Sequence, residues 1–185
     1  MKKIIYFVML LIATGQLAFS TTLVRMDLDD LTAQSHAVAQ GTITASRTEW
    51  DRSHSIIFTI YTVNANEYLK GQLGATFELK EPGGELDGIA VKVDSVPIFN
   101  VGDEAVLFVW TDGEGNHQAI GFEQGAVAVQ TDPATGQKTA DRTIRLGSAR
   151  GSVSNAATPP TTSRTLPQLF NQIRASVAKT GAVKQ

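Results

Sequence analysis

Between Val38 and Gln130 the chain is written largely in a two-residue period, and that period constrains its fold more than any other feature. A strand sends successive side chains to opposite faces, so alternating β-branched, aromatic and polar residues describe a sheet with one face buried. AVAQGTITASRTEW (37–50), SIIFTIYTVNANEYL (55–69), ATFELKE (75–81), IAVKVDSVP (89–97) and GAVAVQTD (125–132) read this way. In the second, Ile57, Tyr61, Val63 and Ala65 share the expected core face. AVLFVWT (105–111) is an unbroken apolar run, which suits a strand covered on both faces. DRSH, Lys70-Gly71, VGDEA, DGEGN and PATG punctuate the runs as turns, Gly41 marks a bulge, and QKTADRTI carries a weak last strand. Seven or so short strands at this spacing predict an all-β barrel or sandwich.

Helical spacing occurs only at the flanks of this region. Asp27 caps a short helix over 28–36, with Leu28 and Leu31 on one side. Residues 145–164 are rich in glycine, serine, threonine and proline and read as a flexible linker. Thr165 then caps a helix over 165–180, with Pro167 in its first turn. Leu166, Leu169, Phe170, Ile173 and Val177 form its apolar side, and Leu169, Phe170 and Ile173 are expected to bury against the β-domain or a partner.

Lys2, Lys3 and the apolar run from Ile4 to Leu17 have the layout of a secretory leader (residues 1–20), with small residues before a cleavage point between Ser20 and Thr21. The β-domain then occupies 21–144, and the expected location is extracytoplasmic, in the periplasm or the medium. After cleavage no apolar run approaches the ~20 residues of a membrane span. The chain holds no cysteine, so it has no disulfide, thiolate metal site, iron–sulfur cluster, cysteine nucleophile or lipidated cysteine.

The net charge of −2 conceals an asymmetry. Residues 21–132 hold 17 acids and 6 bases, whereas 133–185 hold one acid, Asp141, and 8 bases. The plainest consequence is a basic tail folded back on an acidic body, its local concentration raised by the tether. An anionic surface for the tail, or a basic partner for the body, are the other readings. After residue 133 the one aromatic is Phe170, so the tail lacks the stacking residues of single-strand nucleic-acid binding.

Chemistry has few candidate addresses. KEPGGELDG sets Glu81, Glu85 and Asp87 around Gly83 and Gly84, but a strand follows, with no Lys-Ser or Lys-Thr pair opening a helix, so it is no phosphate cradle. Asp112, Glu114 and Asn116 alternate as in a calcium loop, yet His117 stands where that loop needs glycine. His36, His54 and His117 lie at a helix end, a turn and a strand start, without metal-ligand spacing. No cofactor is implied.

The helical DLDDLTAQSHAVAQGTI, the strand ending in EYLKG and the later VGDEAVLFV resemble small secreted bacterial β-barrel domains of uncharacterised function. More remotely they are similar to the netrin-like barrel of tissue inhibitors of metalloproteinases, over about residues 24–130. The resemblance implies an oligonucleotide/oligosaccharide-binding (OB)-type antiparallel barrel, closed or partly open, that acts through loops and rims. The inhibitors' N-terminal cysteine has no counterpart here, so their zinc-binding wedge does not carry over. The expected function is an exported, non-catalytic binding module whose partner is an unidentified exported protein, such as a protease, or an envelope component. Its contact residues are expected among Glu81, Pro82, Gly83, Gly84, Glu85, Asp112, Glu114, Leu169, Phe170 and Ile173. Two alternatives are a hydrolase using Glu81, Glu85 and Asp87, and attachment to the envelope through the basic tail.

Overall fold

The computed structural model describes residues 25–141 and 164–182. Helix α1 (Leu28–Gln34) begins at a capping box in which Asp27 and Asp30 each accept the other's backbone N–H. Strands β1 (Ala37–Trp50), β2 (Ile57–Lys70) and β3 (Thr76–Pro82) follow as a meander. A small hairpin, β4 (Gly84–Leu86) and β5 (Ile89–Val91), precedes β6 (Glu104–Thr111) and β7 (His117–Ala119). A 3-10 turn (Phe122–Gly125), β8 (Ala126–Thr131), β9 (Lys138–Asp141), the two-residue β10 (Arg164–Thr165) and helix α2 (Leu166–Ala182) complete the described residues.

The main sheet is antiparallel in the order β10-β9-β8-β6-β1-β2-β3, with β7 also paired to β6. It is open: among the described residues no ladder joins β3 to β7 or to β10. The expected antiparallel β architecture with two flanking helices is therefore present, while a closed ring of ladders is not. IAVKVDSVP does not form one long strand either; pairing stops at Val91, and residues 92–103 run as loop.

Strands β1 and β6 lie between two cores, which explains the unbroken apolar run. Val106 and Phe108 turn to one side with Val38, Leu31, Leu166, Leu169, Phe170 and Ile173, beneath the helices. Ala105, Leu107 and Val109 turn to the other, with Ala37, Ala39, Tyr61, Val63, Leu79 and Phe99. Both faces are dry, so strand period and continuous hydrophobicity coexist. The bulge expected at Gly41 is present as a register shift after Gln40. A Cβ at Gly41 would meet the Asn64 carbonyl at 2.8 Å.

The helix of the basic tail docks on the chain's own body. Thr165 caps α2, and Leu169, Phe170 and Ile173 are buried against the sheet and α1. Arg174 pairs with Glu67, and Lys179 with Asp29 at 3.2 Å. The exposed pairs contribute little each, whereas burying one large apolar side chain contributes about 1.5–3 kcal/mol. Apolar packing therefore holds the helix. In EYLKG, Lys70 Nζ donates to the carbonyls of Thr32 and Ser35, both at 2.6 Å, closing the end of α1.

The opening of the β4–β5 hairpin depends on glycine. Gly84 has φ +134°, and an added Cβ would lie 2.6 Å from Thr59 Oγ1 and 2.9 Å from Thr48 Cγ2. Gly84→Ala is expected to lower the unfolding free energy by about 2 kcal/mol or more, as read by urea denaturation. A change below about 0.5 kcal/mol would show that the hairpin is not held against β1 and β2 as described.

Candidate functional site

Strands β3 and β7 lie side by side and run the same way, because successive antiparallel pairings link them through β2, β1 and β6. Among the described residues no backbone ladder fills this seam. Contacts cross it at both ends. Near one end Phe77 meets the His117 ring edge-on, with centroids 6.1 Å apart. At the other, the Ala119 amide donates to Glu81 Oε1 at 2.7 Å.

Glu81 is on the inward face of β3 with Phe77 and Leu79, and is 2 % exposed. Thr59 sits opposite it on β2, with Tyr61 on the same face one step along. The Tyr61 oxygen accepts from the Phe99 amide at 3.4 Å. Among the described residues no ion pair reaches the Glu81 carboxyl. Burial without a counter-charge pushes it up to about 8, against the lesser opposing effect of the Ala119 amide. The group therefore keeps its proton at neutral pH.

Outside the seam lies a groove of about 410 Å3. Its floor includes Ile60, Leu73 and Phe77, its rim carries charged side chains of β1 and β3, and the hairpin tip Gly115–His117 overhangs one side. Arg47 grips Glu78 through two hydrogen bonds, at 2.5 and 2.9 Å, and Lys80 reaches Glu49 at 3.4 Å. Lys80 also lies 4.6 Å from the centroid of Phe58. The rim thus presents alternating, mutually paired charge and no single-sign field.

Two histidines that look unrelated in sequence meet at Thr111. Its amide donates to His36 Nδ1 at 2.8 Å, and its hydroxyl lies 2.9 Å from His117 Nδ1. His117 is held below the usual imidazole range, first by burial and then, with Asp112 opposing, by His36. The only advance sign was the apolar run into DGEGNH, which returns His117 beside the end of β6. The third histidine stacks on Trp50, whose indole N–H donates to Asp87 Oδ2 at 3.1 Å. Among the described residues no group of three or more His, Asp or Glu side chains is arranged to hold a metal.

The sequence-selected residues separate accordingly. Glu81 is interior, whereas Glu85 and Asp87 are exposed on the β4–β5 hairpin, so the acids of KEPGGELDG do not converge. Pro82 ends β3, and Gly83 and Gly84 turn the chain at positive φ. Asp112 accepts from the Glu114 and Asn116 amides and from Asn116 Nδ2, each at 2.8 Å, which commits its oxygens to its own turn. The Asn116 side chain and amide hold Asp112 below the usual carboxylate range, and Glu114 is exposed at the tip. Leu169, Phe170 and Ile173 face the chain's own core. Phe170 also lines a second, larger groove of about 540 Å3 with Lys138, Leu166 and Arg174. Ser20, Thr21 and nearly all of the expected linker lie outside the described residues.

Comparison with protein-family models, curated proteins and solved structures finds no match for the chain.

Proposed function

We propose that this chain is a non-catalytic binding module of partly open OB-type barrel form, and that it recognises an exported protein through the groove beside β3. The observation that carries this reading is the unladdered seam between β3 and β7 beneath that groove. Strand edges of this kind supply main-chain hydrogen bonds to an extended segment, while side chains above them select its sequence. The alternating rim of Arg47, Glu49, Glu78 and Lys80 favours a segment of alternating charge over a uniformly acidic or basic one. Exported location rests on the leader-like first twenty residues.

The hydrolase reading draws on carboxylates around Glu81, Glu85 and Asp87, of which Glu81 is buried and the other two are exposed. Envelope attachment through the tail draws on its cations and an apolar helix face; among the described residues Arg174, Lys179 and that face are engaged with the body, while Arg142, Arg145, Arg150 and Lys184 lie outside them. Neither gains support from the described residues.

Site-specific photocrosslinking tests the groove. A photoreactive residue at Glu78 or Asn116 is expected to give a discrete adduct with an exported protein in the source cells. The same residue at exposed Thr44 or Ala178 is expected to give none. Equal labelling from all four positions, or no adduct from the groove positions, overturns the proposal.

A further inference from the structure

A buried acid with no counter-charge sits where the sheet has no ladder, and the two facts have a joint consequence. Separating neighbouring strands elsewhere in the main sheet means breaking backbone ladders. Parting β3 from β7 breaks none among the described residues: it costs the Ala119–Glu81 hydrogen bond, the Phe77–His117 contact and some of the apolar packing of Phe77 and Leu79. We infer that the β3–β7 seam is a proton-operated latch: protonated Glu81 keeps it shut, and loss of that proton to solvent admits water and parts β3 from β7, which stays laddered to β6 with the 112–117 hairpin tip. This concerns the fold's own motion and holds whether or not the neighbouring groove binds a partner.

Magnitudes favour opening over tolerance of a buried carboxylate. A hydrogen bond from one amide to a charged oxygen offsets only part of the loss. Removing an unpaired carboxylate from water costs more than that, even after relaxation. The titratable groups that face Glu81 offer no compensating positive charge. Tyr61, from β2, is pushed up by burial and further by Glu81 itself. His117, from β7, is held toward its neutral form. Asp103, ahead of β6, acts on Tyr61 with the same sign as Glu81. Lys80 and Glu78 belong to the opposite face of β3, and Lys80 is engaged there with Glu49 and Phe58.

In the closed seam Glu81 keeps its proton up to about pH 8; in the open, hydrated seam it returns toward its ordinary value of 4.5. Opening therefore releases one proton throughout that interval, and its equilibrium constant rises about tenfold per pH unit. Amide hydrogen exchange at Ala119 reads this directly, once corrected for the intrinsic base-catalysed rate. Between pH 5 and 7.5 the opening constant is expected to rise about tenfold per unit in the native sequence. In Glu81→Gln, which retains an acceptor for the amide but no ionisable proton, it is expected to stay flat. Ala119 should exchange well ahead of the β1–β2 amides in the native protein. A slope that persists in Glu81→Gln, or protection at Ala119 equal to that of the β1–β2 ladder, overturns the latch. Should Glu81→Gln fail to fold, a carboxyl-carbon NMR titration of the native protein decides. A Glu81 midpoint near 8 supports the latch, and one near 4.5 refutes it.

Discussion

Replacing Ile173 with alanine is expected to lower the unfolding free energy by about 2–5 kcal/mol, the range for a large aliphatic side chain cut back in a packed core. Ile173 is fully buried between the sheet, α1 and the rest of α2, so little around it is free to collapse into the void. The loss should appear as a lower urea midpoint with an unchanged slope, since the helix remains part of one cooperative unit. Ala175→Ser, on the exposed side of the same helix, should stay within about 0.5 kcal/mol. Equal small effects from both substitutions would mean that α2 does not belong to the folded body.

The second large effect is on pH dependence. The folded state raises Glu81 from 4.5 to about 8, so between those values it holds a proton that the unfolded chain has released. Stability from this group is thus fully present below pH 4.5 and is lost as pH rises toward 8. The loss amounts to about 2 kcal/mol between pH 6.5 and 8. His117 acts in the opposite sense: its folded value lies below 6.5, so the unfolded chain takes up the proton first and stability falls as pH drops through that value. Glu78 and Asp112, both lowered, add a further loss at still lower pH. Unfolding free energies measured across pH 4–9 should therefore form a dome with its alkaline limb due to Glu81. Glu81→Gln should flatten that limb and be the more stable protein at pH 8. A limb of the same steepness in the variant would assign it to another group.

Glu81 also shows where sequence reading stops. The strand ATFELKE and its alternation were legible, and the alternation itself points Glu81 to the same side as Phe77 and Leu79. Its neighbours in KEPGGELDG drew it instead into a group of surface acids, because period and composition give opposite answers at a strand's last residues. On β2, Ile57, Tyr61 and Val63 are buried as the period requires. Ile60 is buried too, on the other face, in register between Arg47 and Lys80. Local alternation does not reveal that long charged side chains will cover an apolar residue. The meeting of His36 and His117 at Thr111 depends on β1, β6 and β7 being neighbours, which is a property of sheet order rather than of any stretch of sequence. The capped tail helix was readable in advance because both its apolar spacing and its Thr165 cap are local.

The pairing of α2 with α1 has a kinetic corollary. Lys179 and Asp29 are 150 positions apart in the chain, and Leu31 and Ile173 share one core. Contacts of such wide sequence separation form slowly, since a long loop must close before any packing rewards it. The body is expected to pass through a stage in which the β-meander is assembled and its helical cover is still searching, leaving an apolar sheet face briefly open to whatever shares the compartment.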